Sequence, residues 1–287
     1  IINRARLTGG KRVVFAEGQE PKIARAAFHF EEEKLGTAIL LGKPEEVRHT
    51  IDELGLDFHP QVIDPETCEQ HSLYAHTLYE LRHRKGMTLT AAEKLLRDDN
   101  YFGPVMVKLG DADAFISGLN YEYPEVIRPA LQVVGTRFGV KHASGLYIVI
   151  MNDRVYAFTD ATVNIDPDAE TLAEIAILAA TFMKDLGARP SVAMLSFSNF
   201  GSAPHPLSNK VRQAVEIVRD KRPDIVIDGE MQADSAVVAE IIENRFPFSQ
   251  VRDANVLVFP DLGSANIAYK LLARLAGAEM IGPVLLG

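Results

Sequence analysis

The sequence predicts an α/β protein built from two α/β lobes with mostly parallel sheets. Short apolar runs rich in β-branched residues alternate with amphipathic stretches along almost the whole chain. Parallel strands need crossover helices, so this alternation favours sheets covered by helices on both faces. The length of 287 residues corresponds to about two domains at roughly 150 residues each. A change in pattern near Gly139 marks the expected boundary between the lobes.

The first half of the chain repeats a strand–helix pattern. The first helix is expected to begin at Pro21, since proline is favoured at the first helical position, and to stop at Gly36. The run from Thr90 to Glu93 has the form of a capping box that opens another helix. We predict strands over 11–16, 37–41 and 112–117, and helices over 21–35, 45–54, 73–84, 91–97 and 126–134.

The second half opens with a hairpin signal and continues as βα units. Asn152 and Asp153 separate two strands, over 143–151 and 154–159, and suit a tight turn. A long helix over 168–186 ends at Gly187. Three βα units are predicted after it, each a strand followed by a helix: 191–197 with 208–221, 225–228 with 233–246, and 255–259 with 265–275.

Composition and charge exclude several classes of protein. The formal net charge is −9, from 30 Lys and Arg against 39 Asp and Glu. This balance excludes nucleic acid as the main partner, because phosphate backbones need clustered basic side chains. No apolar run has the roughly 18 residues of a membrane helix, so no membrane partner is expected. The single cysteine, Cys68, favours a reducing, cytoplasmic location and leaves a secreted protein with few cysteines open.

Both ends of the sequence have the appearance of cut ends. The first residue is Ile1 rather than methionine, and no apolar signal region follows it. The last residues, 281–287, are apolar and lack a polar exit. We therefore expect a piece of a longer polypeptide.

One local pattern occurs twice and suggests a ligand site. The segments 197–202 and 259–264 share the form Phe-x-x-x-Gly-Ser, each between a predicted strand and a predicted helix. Ligands of open α/β sheets bind at the carboxyl ends of strands, where glycine turns and helix N-termini favour anions. The alternative for the cluster from Ser196 to Ser202 is helix capping and turn formation by serine and asparagine.

Charged residues in unusual positions form a second group of candidates. Arg82 belongs to a short basic run that either binds an anion or offsets a helix C-terminus. Arg128 and Arg274 lie in apolar helices, where a guanidinium needs a carboxylate, a carbonyl or an anionic ligand. Asp228 and Glu230 follow a strand and suit either acid–base chemistry or helix capping. No dinucleotide fingerprint, phosphate loop or metal-ligand spacing is present, so no metal is expected.

Many segments in one order carry a resemblance to a known family. They are Gly10–Gly18, Lys85–Thr88, Tyr101–Gly103, Met106–Val107, Gly110–Asp113, Ser117–Gly118, Arg128–Leu131, Ala193–Ser198, Asp228–Asp234, Phe259–Leu262 and Ile281–Pro283. Together they resemble phosphate acetyltransferases, and specifically the phosphotransacetylase-like C-terminal domain of the long, NADP-dependent bacterial malic enzymes.

The resemblance implies a fold and a ligand site. The fold would be two α/β lobes around an interdomain cleft, like isocitrate and isopropylmalate dehydrogenases, with 1–139 plus 283–287 in one lobe and 140–282 in the other. Acetyl-CoA or CoA would enter the cleft. Arg82, Arg128 and Arg274 match arginines that bind phosphate and the thioester. The loop from Ser196 to Ser202 would contact acetyl-CoA through Ser196, Ser198, Asn199, Gly201 and Ser202.

Two departures from the transferase pattern favour a regulator over an enzyme. Tyr121-Glu122-Tyr123 stands where transferases usually carry His-Ser/Thr-Thr, and a carboxylate repels phosphate by about 1 kcal/mol at 4 Å in water. Asn199-Phe200 replaces a Thr-Lys pair. The family's catalytic serine and arginine lie beyond Ile281–Pro283, so no catalytic residue is assigned in this chain.

We therefore expect the acetyl-CoA-binding regulatory domain of a malic enzyme. Its parent would oxidatively decarboxylate malate to pyruvate and CO2 with NADP and Mg²⁺ or Mn²⁺, in an N-terminal malic enzyme domain that would be this domain's partner. In this expectation acetyl-CoA is an effector, and the domain itself needs no cofactor. The resemblance also implies a homo-oligomer, a dimer or larger. The alternatives are an active phosphate acetyltransferase and an oligomerisation module with an empty cleft.

Overall fold

A computed structural model describes Arg6 and residues 10–287 of the chain. Its contacts divide the chain into two compact units between Gly135 and Thr136. Each unit is an α/β structure with its own sheet and its own apolar cores. In the part of the chain that the structure describes, no helix is long and apolar enough to cross a membrane.

The first unit holds a four-stranded, all-parallel sheet in the order β3-β2-β1-β4. Its elements follow the chain in this order: β1 (Lys11–Phe15), α1 (Pro21–Glu32), β2 (Gly36–Leu41), α2 (Pro44–Glu53), β3 (Gln61–Ile63), α3 (His71–Arg82), a 3-10 turn (His83–Lys85), α4 (Leu89–Leu95), α5 (Asp99–Leu109), β4 (Ala114–Ile116) and α6 (Tyr123–Val133). Parallel strands bury both faces, which explains their continuous apolar runs.

Alternate residues of these strands enter two different cores. Val13 and Phe15 of β1 pack with α1 and α2, whereas Val14 between them packs with α3, α4 and α5 on the other face. This period of two is the geometry of an extended strand. The sheet is therefore covered on both sides, and its carboxyl edge is where loops gather.

The second unit holds a six-stranded mixed sheet in the order β10-β5-β6-β9-β7-β8. Its elements are β5 (Ser144–Met151), β6 (Arg154–Thr159), α7 (Ala169–Asp185), β7 (Ser191–Leu195), α8 (Pro206–Lys221), β8 (Val226–Met231), α9 (Ala233–Val237), α10 (Ala239–Arg245), β9 (Val256–Val258), α11 (Leu262–Leu275) and β10 (Glu279–Leu286). Strands β6, β9, β7 and β8 are parallel, whereas β5 pairs antiparallel with both β6 and β10. One face packs on α7 and α8, and the other packs on α9 and α11.

The predicted fold class is confirmed as a mixed α/β fold with parallel sheet cores. The hairpin through Asn152 and Asp153 is present, and both residues have positive φ angles, as a tight hairpin turn requires. The likeness to isocitrate and isopropylmalate dehydrogenases stays a prediction.

Some elements differ from the sequence-based expectation. The N-cap of α4 is Thr88 rather than Thr90, and its hydroxyl accepts the N–H of Ala91 at 3.2 Å. Helix α5 was not predicted, because it is apolar on nearly all sides and lacks a helical period. The single helix predicted over 233–246 is two helices, since Val238 is extended between them.

The end of the chain also differs from expectation. Residues 283–287 were expected in the first lobe with a boundary at Gly139. In the structure, Val284, Leu285 and Leu286 pair along β5 within the second unit. The apolar end of the sequence is thus an additional strand of the second sheet.

A close approach at Gly103 yields a stability prediction. A Cβ at this position of α5 would lie 2.2 Å from Cδ2 of Phe115 in β4. We expect Gly103→Ala to destabilise the protein by about 1–3 kcal/mol through overpacking. Urea denaturation measures the change. In a Phe115→Ala background the same substitution should cost nothing or stabilise the helix, because alanine is the better helix former. Additive effects in this double-mutant cycle would contradict the clash.

Candidate active-site residues at the strand ends

The carboxyl edge of the first sheet is built around Glu17. This residue follows β1, is 3% exposed, and accepts backbone N–H bonds from three successive residues, Gly118, Leu119 and Asn120, at 3.3, 3.0 and 2.7 Å. Its own N–H donates to Oδ2 of Asp99 at 2.9 Å. The first turn of α5 is thereby placed at the same edge as the turn that follows β4.

Arg82 and Arg128 both act on one phenol beside that edge. Burial raises the pKa of Tyr101, and the positive charges of Arg128 and Arg82 oppose that rise. The phenol donates to Oε1 of Gln132 at 3.0 Å. Within the described residues neither arginine forms an ion pair, so the salt-bridge alternative for Arg128 is not realised. Two of the three predicted arginines therefore lie in the first unit, and both lower the pKa of Tyr101.

The residues Tyr121-Glu122-Tyr123 have local structural roles. Glu122 is the N-cap of α6 and forms a reciprocal capping box with Glu125, whose carboxylate accepts the Glu122 N–H at 2.8 Å. Burial raises the pKa of Tyr121, and the charge of Asp99 raises it further. Glu122 is thus engaged in starting the helix that carries Arg128.

The predicted ligand loop of the second unit is wrapped around a buried carboxylate. Glu230, at the end of β8, is fully buried and accepts the Ser198 hydroxyl at 2.9 Å and the Gly201 N–H at 2.6 Å. Its carbonyl accepts the N–H of Phe200 at 2.8 Å. The side chain of Asn199 exchanges two hydrogen bonds with Gln232, both at 2.8 Å.

Those contacts divide the predicted loop residues into two sets. Ser198 and Gly201 donate to Glu230, Asn199 bonds to Gln232, and Ser198 and Asn199 are buried. Ser196 is partly exposed, and Ser202 is exposed and accepts the N–H of Asn199 at 2.9 Å. The similar segment after β9 is a helix cap, because Asp261 accepts the N–H of Ser264 at 2.7 Å. Turn formation, one of the two alternatives, therefore accounts for most of the hydroxyl groups.

Asp228 and Glu230 each pair with an arginine of α8. Arg212 binds Glu230 through Nε at 3.0 Å and Nη2 at 3.1 Å, and Arg219 donates to Asp228 at 2.7 Å. Burial raises the pKa of Glu230. Arg212 and the hydrogen-bond donors of the loop lower that pKa by more than burial raises it, so the net shift is downward. The sequence analysis named neither arginine. The two arginines are seven residues apart, which places them on one face of α8, and this spacing could have indicated a shared set of acidic partners.

Arg274 lies in the last turn of α11 in the second unit, where it is exposed and has no ion pair among the described residues. In the same part of the chain, no group of three or more His, Cys, Asp or Glu side chains is arranged to hold a metal ion.

Parallel sheets with glycine turns at their strand ends, and with helices whose arginines form no ion pair among the described residues, are typical of α/β proteins that bind phosphate-bearing ligands. The family model for phosphate acetyl/butaryl transferase matches residues 1–287, and the chain belongs to that family. It is 43% identical to the phosphate acetyltransferase of Thermoanaerobacterium thermosaccharolyticum, over all of this chain and 89% of that protein. Identity to the phosphate acetyltransferase of Clostridium acetobutylicum is 42%, over 96% of this chain and 86% of that protein. The crystal structure of a phosphotransacetylase from Streptococcus pyogenes aligns with a TM-score of 0.93 and 39% identity, covering 100% of this chain and 88% of that one.

These comparisons correct the expected function. The expectation of a malic enzyme regulatory domain without transferase activity is wrong, and so is the expectation of NADP and Mg²⁺ or Mn²⁺ in a parent enzyme. Relatives named phosphate acetyltransferase match over the whole chain. The departures at Tyr121–Tyr123 and Asn199-Phe200 are local, and they do not separate this chain from the transferases.

The buried carboxyl of Asp99 gives a pH-dependent prediction. Burial raises its pKa to about 6, above an ordinary value near 4. The ionised form is therefore disfavoured in the folded state, and stability from this group is lost as pH rises through about 6. We expect Asp99→Asn to raise the melting temperature at pH 8 and to leave it unchanged near pH 4.

Asp113 serves as the matched control with the opposite sign. The Arg12 N–H and the Lys11 ammonium lower the pKa of Asp113. Its stabilising contribution is present above the ordinary pKa and is lost at lower pH, so Asp113→Asn should lower the melting temperature at pH 8 and have no effect near pH 2. Differences that do not vary with pH, in either variant, would contradict the electrostatic cause.

The Arg212–Glu230 pair gives a second prediction. Arg212→Ala leaves a fully buried carboxylate without its guanidinium, and we expect a loss of about 2 kcal/mol in the free energy of unfolding, reduced from a fully buried pair because Arg212 is partly exposed. The control is Arg222→Ala, which removes the partner of the exposed Asp224 and should change stability little. Equal losses in urea denaturation would show that burial of Glu230 is unimportant.

Proposed function

We propose that this protein is a phosphate acetyltransferase that moves an acetyl group between coenzyme A and phosphate. The observation that carries the proposal is identity of 43% and 42%, over essentially the whole chain, to two proteins named for this activity. In the direction of thioester formation, the thiol sulfur of CoA attacks the carbonyl carbon of acetyl phosphate, and the thiol proton ends on the departing phosphate. The carbon–sulfur bond forms, the carbon–oxygen bond to phosphate breaks, and phosphate leaves with the electron pair.

In this proposal, arginines of the first unit supply the positive charge and the hydrogen-bond donors that hold the phosphate group. Phosphate carries negative charge in both directions, and the bond that breaks adds charge to its bridging oxygen. Guanidinium groups without carboxylate partners can form bidentate hydrogen bonds with such an oxyanion. We assign this role to Arg82 and Arg128, and we keep Arg274 as a contact for the coenzyme. Ser196 and Ser202 are the proposed ligand contacts of the loop, while Ser198, Asn199 and Gly201 shape it.

The physiological setting is also part of the proposal. We propose a cytoplasmic homo-oligomer, a dimer or larger, without NADP or metal. One helix supports association, because Ile267, Leu271 and Leu275 form an exposed apolar stripe on α11, with 62%, 51% and 81% exposure.

The assay mixes the protein with acetyl phosphate and CoA and follows thioester formation. We expect turnover on the order of 10 per second, an ordinary enzyme value. Butyryl phosphate in place of acetyl phosphate tests the acyl group, and acetyl phosphate should be the better substrate. Binding of acetyl-CoA without any turnover would overturn the proposal.

Arg128→Ala tests the assigned role of the arginine. Loss of a group that stabilises developing charge should lower kcat/KM by about a hundredfold to a thousandfold. The control is Arg25→Ala, which removes an exposed arginine of α1 that forms no ion pair among the described residues of the same unit and should leave kcat/KM unchanged. Equal activity of the two variants would exclude Arg128 from the reaction.

A further inference from the structure

Glu17 has a backbone conformation that only a strong local constraint explains. Its φ angle is +58°, in the left-handed region that residues other than glycine rarely adopt. Such a conformation persists only where the surroundings determine it, and it clusters at functional sites. Here the surroundings are the carboxyl edge of the first sheet, with Asp99 holding the Glu17 N–H.

The Glu17 carboxylate organises an otherwise exposed turn. Gly118 and Asn120 are exposed and have no large apolar side chain, and Leu119 is 38% exposed, so only Leu119 can fix this backbone by apolar burial. Their three N–H groups converge on the two oxygens of Glu17, with Oε2 accepting two and Oε1 accepting one. Successive N–H groups aimed at one carboxylate form a nest, the arrangement that proteins use to hold anions.

The turn leads directly into the helix that carries Arg128. Only Tyr121 and Glu122 separate Asn120 from the start of α6. Glu122 caps that helix, and the pKa of Tyr121 is raised by burial and then by the charge of Asp99, the same residue that holds the Glu17 N–H. The segment from Gly118 to the first turn of α6 is therefore fixed by Glu17 at its start and by the Glu122 cap at its end.

We propose that Glu17 is a positioning residue for the phosphate-bearing substrate: its buried carboxylate holds the 118–120 turn so that α6 presents Arg128. The inference rests on the proposed function, since it deepens the role of the Arg128 site. Glu17 contacts no substrate in this proposal. It acts through the backbone of the turn.

Glu17→Gln is the first test. The amide keeps the size of the side chain but replaces one acceptor oxygen by an NH2 group, which cannot accept an N–H. We expect kcat/KM to fall by about tenfold to a hundredfold, the effect of a small misplacement of a substrate-holding group, with most of the change in KM for acetyl phosphate. In an Arg128→Ala background, Glu17→Gln should add little further loss, because the two residues act as a unit.

Chemical rescue tests the nest itself. Glu17→Gly tolerates the positive φ angle and leaves three N–H groups without their carboxylate. Added formate should restore a measurable part of the lost kcat/KM in this variant and none in Arg128→Ala. A lack of rescue, together with an unchanged KM in Glu17→Gln, would overturn the proposal.

The matched control is Glu31→Gln. The Glu31 carboxylate also accepts a backbone N–H, from Ala38 at 2.8 Å, in the same unit but between α1 and β2. The Glu31→Gln substitution should leave KM for acetyl phosphate unchanged. If Glu17→Gln lowers only the melting temperature, as Glu31→Gln can, the role is structural and the proposal fails.

Amide hydrogen exchange separates this proposal from the proposed function. In Glu17→Gln we expect faster exchange at residues 118–120 and in the first turn of α6, with the rest of the unit unchanged. This result does not require activity. A wild-type protein without transferase activity would overturn the proposed function, whereas unchanged exchange at 118–120 would overturn the role of Glu17.

Discussion

A carboxylate buried at the end of a strand, accepting N–H groups from an adjacent loop, is the interaction on which both units depend. Glu17 holds three such groups after β1, and Asp160 accepts the N–H groups of Gly145, Thr162, Val163 and Asn164 after β6. Glu230 does the same for the loop after β7. A buried charge is costly unless it is paired. Several charge-assisted bonds, each worth about 1.5–3 kcal/mol, offset that cost and make the loop geometry a condition of folding.

This constraint decides which groups remain available to a ligand. Glycine and serine at the end of a strand suggest N–H and hydroxyl donors that face outward. At Ser198 and Gly201 those donors are already bonded to Glu230. Under the proposed function, a substrate anion relies on side chains without an ion pair among the described residues, and in the first unit we assign that role to Arg82 and Arg128. The carboxylates set the shape of the edges, while the guanidinium groups supply the charge.

Features set by residues close together in the sequence were predicted, whereas contacts between residues far apart in the sequence were not. Most strands and most helices were predicted, because capping residues and apolar periods act over a few residues, but the three-residue strand β3 was not. The same local reasoning missed α5, whose uniform burial hides its period, and β10, whose partner β5 lies more than a hundred residues earlier. Glu17 was likewise not predicted as a site residue. Its partners are 101 to 103 positions away, and no spacing rule connects them.

The negative charges at the first carboxyl edge are each offset by local contacts or by burial. Glu122 was expected to repel phosphate, but its carboxylate accepts N–H bonds at the start of α6 and is partly neutralised by them. The charge of Glu17 is balanced by three N–H dipoles. Asp99, with a pKa raised to about 6 by burial, loses its charge at mildly acidic pH. Arg82 and Arg128 keep theirs at every physiological pH, so the net charge of the protein groups at this edge becomes more positive as pH falls through 6.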